Sequence, residues 1–138
     1  MMLASAKRGI LGVMGAGSIR WGRVVLGAFL AELILVLFVI PIRVFGGPES
    51  ALTVVAVAGS FFVFVPVAWW LFRSTANPVL NGALMGVTAA LLYTLLVLVG
   101  QYFAPDSPPI PFIYYVAHVL KVAGGAVGGW FALRRAIA

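Results

Sequence analysis

The residues of this chain that could carry acid–base chemistry are few. The acids are Glu32, Glu49 and Asp106, and the only histidine is His118. The chain has no cysteine, which excludes thiolate nucleophiles, disulfides and iron–sulfur clusters. One histidine without any cysteine also leaves no zinc site of the usual protein ligands and no bis-histidine haem site within one chain. We therefore expect no metal and no other cofactor.

Two of the ionisable residues, Glu32 and Lys121, lie inside long apolar stretches. If each stretch is a helix that crosses a membrane, Glu32 lies ~12–14 Å and Lys121 ~15 Å from the start of its helix. Both positions are near the centre of the bilayer, where an unpaired charge costs about 2.5–3.5 kcal/mol on insertion scales. Because the charges are opposite and the depths match, the sequence predicts that Glu32 and Lys121 form an ion pair.

Two more residues extend this candidate site. His118 lies about one helical turn from Lys121, and Tyr93 falls at a similar depth in another stretch. One interpretation is a structural pair that fixes which helices touch, with His118 as a hydrogen-bonded core residue. The other is a relay for protons or ions along Glu32, Lys121, His118 and Tyr93, because ionisable residues inside a membrane often mark such a pathway.

The composition identifies the kind of element that must hold these residues. The 138 residues are 64% hydrophobic and 9% charged, whereas soluble domains are about 45–50% apolar and about 25% charged. A soluble fold of this size cannot bury so much apolar surface. The chain is therefore predicted to be a one-domain integral membrane protein, which excludes a soluble enzyme, a nucleic-acid-binding module and a disordered regulator.

Four apolar stretches predict an all-α bundle of four transmembrane helices. They cover about 24–42, 52–72, 79–103 and 110–133, and each is close to the ~20 residues that span a hydrocarbon core. Short polar links between them predict two antiparallel hairpins. Pro66 lies inside the second stretch and should kink that helix, because it removes one backbone hydrogen bond.

The distribution of cations predicts the orientation. Cations precede the first helix, separate the second from the third, and follow the fourth: Lys7, Arg8, Arg20, Arg23, Arg73, Arg134 and Arg135. The other two links hold only Arg43. Since cytoplasmic loops carry the Lys and Arg excess, both termini should be cytoplasmic, in a bacterial inner membrane. Residues 1–23 should form a basic arm at the interface, and residues 24–138 the transmembrane domain.

Small residues mark the predicted contacts between helices. They fall in the first, third and fourth stretches, and the ones expected to pack are Gly27, Gly82, Gly86, Gly124, Gly125 and Gly128. Glycine lets helix backbones approach closely in lipid. We expect these residues to pack the bundle internally; a homodimer face is the alternative.

One local segment resembles a known family. Residues 27–32, with the sequence GAFLAE, resemble the first helix of small multidrug resistance exporters, four-helix proteins with an essential membrane glutamate. The resemblance implies a coupling role for Glu32. It covers six residues, and the chain departs from that family in His118, in Lys121 and in its strong charge bias.

These features favour a non-enzymatic membrane protein, either a small accessory subunit or a permease-like protein. A small transporter coupled to protons or cations through Glu32 is the first alternative. A lipid-modifying enzyme is the second, although the chain lacks an evident nucleophile and base for it. The expected partners are the lipid bilayer and, beyond it, either further copies of the chain or a larger membrane complex. No nucleic acid is expected, because the positive charge is explained by topology.

Overall fold

The computed structural model of the protein describes residues 19–137. Within that range the chain is helical between its turns and contains no strand. The helices are α1 (Trp21–Val44), α2 (Glu49–Phe62), α3 (Phe64–Phe72), α4 (Pro78–Phe103) and α5 (Ile113–Ile137). Most of the predicted basic arm, residues 1–18, lies outside the described residues.

The described helices form four segments long and apolar enough to cross a membrane. These segments are Trp21–Val44, Glu49–Phe72, Pro78–Phe103 and Ile113–Ala136. The prediction of an all-helical chain with four candidate spans is therefore confirmed. Their buried faces are narrow, since most of each span faces outward, as expected for helices whose apolar surface contacts lipid.

The second span is divided into α2 and α3 by a local kink rather than by a loop. Val63 separates the two helices but keeps helical backbone angles, with φ −78° and ψ −38°. Its N–H still donates to the carbonyl of Gly59 at 2.9 Å. Pro66 has no N–H to donate to the carbonyl of Phe62, four residues earlier, and this missing bond explains why the helix is interrupted here.

Several helix ends differ from the predicted ones; α1 ends at Val44 instead of residue 42, and α2 begins at Glu49 instead of residue 52. α1 begins at Trp21 instead of residue 24, so Arg23 belongs to its first turn. α5 begins at Ile113 and continues to Ile137, whereas the apolar stretch had predicted 110–133. Pro111 explains the late start, because a proline's ring disfavours helical backbone in the residue before it. The late end shows that Arg134 and Arg135 extend the helix rather than ending it.

Hydrophobic packing is concentrated in one half of the bundle. The core cluster comes from α1, α3 and α4, and its members are Val24, Ala28, Ala31, Leu35, Phe64, Val67, Ala68, Leu71, Phe72, Met85 and Ala89. This half ends where α1 and α4 begin and where α3 and α5 end. We call that end the arginine end, because Arg20, Arg23, Arg73, Arg134 and Arg135 lie there.

Close contact between α5 and α4 depends on glycine. A Cβ atom on Gly82 would collide with the carbonyl oxygen of Gly125, and one on Gly125 would collide with that of Gly82. A Cβ on Gly86 would come within 2.5 Å of the carbonyl oxygen of Lys121. A Cβ on Gly129 would likewise collide with the carbonyl oxygen of Pro78. The contacts run in opposite directions along the two helices, so α4 and α5 are antiparallel.

A second set of glycines packs α5 against the second span. A Cβ on Gly124 would lie 2.7 Å from the carbonyl oxygen of Phe61, and Gly128 lies against the carbonyl of Val65. Gly125 and Gly129 of α5 therefore contact α4, whereas Gly124 and Gly128 contact the second span. On α1, Gly27 accommodates the side chains of Met85 and Leu71.

Candidate functional site

The ammonium of Lys121 and the carboxylate of Glu32 meet inside the bundle. Lys121 Nζ donates a hydrogen bond to Glu32 Oε1. The Lys121 side chain is only 4% exposed, and that of Glu32 is 23% exposed. Glu32 therefore lies at the edge of the buried stripe of α1, while Lys121 is enclosed. The pair gives Lys121 the counter-charge that a buried cation requires.

This ion pair crosses the bundle rather than joining neighbouring helices. α5 packs on α4, α3 and α2, and α1 packs on α4, α2 and α3. Within the described helices, α1 and α5 have little or no close backbone contact with each other. Gly86 holds the backbone of α5 against α4 at Lys121, and the long lysine side chain then reaches α1. The ion pair thus links two helices that packing alone leaves apart.

Aromatic rings cover the ammonium on the α4 side. Lys121 Nζ lies 5.1 Å from the centroid of the Tyr93 ring, within the range of a cation–π interaction. The rings of Tyr93 and His118 pack edge to face, with centroids 4.9 Å apart and planes at 62°. Tyr93 also stacks on Tyr114 at 6.4 Å, with planes at 10°. Tyr93 therefore contacts three other members of the cluster: Lys121, His118 and Tyr114.

The imidazole of His118 leaves one polar atom without a partner. Its Nδ1 atom is buried and makes no hydrogen bond to the described part of the chain. A buried nitrogen without a partner has a free-energy cost of about 1–3 kcal/mol. Such an atom, beside a tyrosine and about one turn from a lysine, is a candidate for exchanging a proton. This nitrogen distinguishes the cluster from a structural network in which every buried polar atom makes a hydrogen bond.

The sequence did not identify Tyr114 as part of this cluster. Its spacing from His118 and Lys121 is the available signal, because residues 114, 118 and 121 share one face of a helix. The polar cluster therefore consists of Glu32, Tyr93, Tyr114, His118 and Lys121.

Apolar side chains fill the bundle between the polar cluster and the arginine end. Phe64, Phe72, Met85 and Val24 are each 0% exposed and lie in this half. Ala89 on α4 and Ala31 on α1 close the core next to the cluster. Polar groups of the cluster continue only the other way, through Tyr93 and Tyr114. The arrangement can hold a buried charge pair.

The arginine end contains polar contacts that sequence reasoning missed. Arg23 Nη1 donates to the carbonyl of Leu71 at 3.0 Å and to Ser74 Oγ at 2.9 Å, which ties α1 to the end of α3. The backbone N–H of Arg20 donates to Asn81 Oδ1 at 2.8 Å. Asn81 is fully buried on the small-residue face of α4. A polar residue one position before Gly82 was the signal for this contact.

The described residues contain no cluster of three or more histidine and acidic side chains that could hold a metal ion. No protein-family model matches the chain, and no curated protein and no solved structure matches it either. Its function must therefore be argued from its own geometry.

Proposed function

We propose that this protein is a non-enzymatic accessory subunit of a bacterial inner-membrane complex. The observation that carries the proposal is the closed, charge-neutral centre of the bundle. Lys121 and Glu32 neutralise each other, and the half towards the arginine end is filled with apolar side chains. A protein with such a centre is suited to hold a fixed shape in the membrane and to present its outer faces to a partner.

The charges at the two ends support an orientation with both termini in the cytoplasm. The arginine end carries five cations and no acid among the described residues. At the opposite end, Arg43 is neutralised by Glu49, whose Oε1 lies 3.2 Å from Arg43 Nη1, and Asp106 adds a negative charge. Cytoplasmic ends of membrane proteins carry the excess of Arg and Lys. The chain would then enter and leave the membrane as two hairpins, N-in and C-in.

Purification from the native membrane tests the accessory role. A tagged chain, solubilised in mild detergent, should retain a larger membrane protein at a fixed ratio. An excess of the untagged chain should displace the tagged one from that partner, which a non-specific contaminant would not allow. A chain that purifies only with itself, under conditions that keep known membrane complexes intact, would contradict the proposal.

A proton- or cation-coupled transporter is the second candidate, and the unpartnered Nδ1 of His118 favours it. Together with Tyr93 and Tyr114, this atom leads from the ion pair towards the opposite end of the bundle. The test is ion flux into liposomes that contain the purified chain, under an imposed pH gradient. Flux that is lost in folded Glu32→Gln protein but kept in the surface control Glu49→Gln would replace the accessory role by transport.

A further inference from the structure

A groove between α3 and α5 opens at the arginine end of the bundle. Its volume is about 570 Å³, and it is lined by Val65, Pro66, Trp69, Phe131, Arg134 and Arg135. Val65, Pro66 and Phe131 form an apolar wall, and the two arginines form the rim. Beside the groove, Gly128 packs against the carbonyl of Val65, which brings the two helices together.

Aromatic rings hold both guanidinium groups of the rim. Arg135 lies over the ring of Trp69, with Cζ 5.5 Å from the centroid. Arg134 lies over the ring of Trp130 at 4.2 Å. A stacked guanidinium keeps its N–H edge available for a planar or tetrahedral anion. The rim therefore presents two oriented donors next to an apolar wall.

No acidic side chain of the protein neutralises these arginines. Glu32 pairs with Lys121, and Glu49 pairs with Arg43 at the opposite end. Asp106, the remaining acid of the chain, lies in the turn between α4 and α5, also at the opposite end. Within the described residues, Arg134 and Arg135 thus have no carboxylate partner. An anion that is not one of these side chains can therefore serve as their counter-charge.

We propose that this groove binds one molecule of an anionic phospholipid such as phosphatidylglycerol. The phosphate lies between Arg134 and Arg135, and one acyl chain lies along Val65, Pro66 and Phe131. Trp69 lies at the level of the glycerol, because the amphipathic indole prefers the membrane interface. Basic pockets between transmembrane helices are suited to lipid headgroups of this kind.

The chemistry of the groove distinguishes this ligand from others. A free phosphate would use the arginines but not the apolar wall. A zwitterionic lipid such as phosphatidylcholine carries its own cation and gains less from two arginines. An anionic phospholipid contacts both the arginines and the apolar wall. The proposal requires only that the spans cross a bilayer.

Lipid titration of the full-length chain followed by native mass spectrometry tests the site. Phosphatidylglycerol should bind at one saturable site, and phosphatidylcholine with the same acyl chains should bind at least about tenfold more weakly. The double variant Arg134→Gln, Arg135→Gln should lose about 30-fold in affinity, because each arginine near an anionic lipid contributes a factor of about five. Arg73→Gln is the matched control, since Arg73 is exposed at the same end outside the groove.

Further variants separate the site from a diffuse charge effect and from misfolding. Arg134→Lys, Arg135→Lys keeps the charge but loses the planar guanidinium groups that stack on Trp130 and Trp69, so its affinity should lie between those of the native chain and the double glutamine variant. Saturable binding by this variant also shows that a change at these positions is tolerated. Equal loss in Arg73→Gln and in the double glutamine variant would overturn the proposal in favour of diffuse surface charge. Displacement of the lipid by millimolar inorganic phosphate would overturn it in favour of a phosphate site. Equal binding of the two lipids would also overturn it.

Discussion

At the residue scale, the most demanding group in the protein is the ammonium of Lys121, because its side chain is 4% exposed in the middle of an apolar helix. Glu32 supplies the charge, and the Tyr93 ring supplies a cation–π contact at 5.1 Å. These two contacts come from α1 and α4, so the lysine of α5 is stabilised only when three helices have assembled. A buried ion pair contributes little net stability compared with apolar side chains of similar volume, but removing one partner leaves an uncompensated charge.

The ion pair predicts a non-additive double-mutant cycle. Glu32→Gln leaves Lys121 buried without a counter-charge and should lower the free energy of unfolding by about 3–5 kcal/mol. Lys121→Met leaves the carboxylate of Glu32 without a partner near the centre of the bilayer and should also destabilise. The double variant should lose much less than the sum of the two. Reversible unfolding in detergent measures the coupling term, and additive losses would show that the pair is not an energetic unit.

Arg23 and Arg20 offer a matched comparison at the arginine end. The side chain of Arg23 donates to Leu71 and Ser74, whereas Arg20 uses its backbone N–H to reach Asn81. Arg23→Ala should therefore lower the free energy of unfolding by about 1 kcal/mol, and Arg20→Ala should change it by less than about 0.5 kcal/mol. Thermal unfolding of both variants checks this. Equal effects would mean that net charge, and not these hydrogen bonds, stabilises the end.

Sequence reasoning identified the two oppositely charged residues of the polar cluster, because their depths in the predicted spans match. Glu32 and Lys121 were paired on charge and depth alone, and the structure places them in contact. The order of the cluster was not accessible, because it depends on how far each helix is rotated about its axis. The expected chain passed from Lys121 to His118 and then to Tyr93. The structure places the ring of Tyr93 in contact with both Lys121 and His118.

At the element scale, α5 is the helix on which the bundle is organised. It contacts α4 through one row of glycines and the second span through another. A strict one-face assignment from the sequence cannot separate these rows, since residues 124 and 125 are about 100° apart on the helix. The same helix carries Lys121, so close packing by glycine and placement of the ion pair depend on one element.

Two glycines of α4 predict opposite effects of the same substitution. Gly82→Ala adds a methyl group that meets the backbone carbonyl of Gly125, and it should lower the free energy of unfolding by about 1–3 kcal/mol. Gly100→Ala is the control, because a Cβ at Gly100 has no atom within 4 Å. It should be neutral or stabilising by up to about 1 kcal/mol, from the better helix propensity of alanine. Similar unfolding temperatures for the two variants would show that α4 and α5 are less closely packed.

The helices themselves were predictable because apolar length and composition define a membrane span. The residues at which the helices begin and end were harder to predict. The start of α1 at Trp21 depends on Arg20 contacting Asn81 on another helix, which no local pattern reveals. Where α5 continues past Arg134, the two arginines stack on the rings of Trp130 and Trp69, and the second of these contacts is with another helix. Pro66 did indicate the interruption of the second span, because the loss of its hydrogen bond is a local effect.

At the scale of the whole molecule, the described part of the protein is asymmetric along the long axis of the bundle. The half towards the arginine end holds the apolar core, the ties made by Arg23, and the groove with its two stacked arginines. The other half holds the polar cluster, and both remaining acids lie at that end. Five arginines at one end and a near-balanced charge at the other should give the chain a single orientation.

The absence of cysteine from the sequence makes this orientation directly measurable. Ala76→Cys places a thiol in the exposed turn between α3 and α4 at the arginine end, and Ser107→Cys places one in the exposed turn between α4 and α5. In intact cells, a membrane-impermeant maleimide should label the cysteine at 107 from outside. It should label the one at 76 only after the membrane is opened. The physical reason is that translocating the arginine end is unfavourable, whereas the opposite end carries little net charge. Labelling of both positions in intact cells would mean that the chain inserts in two orientations and would contradict the predicted topology.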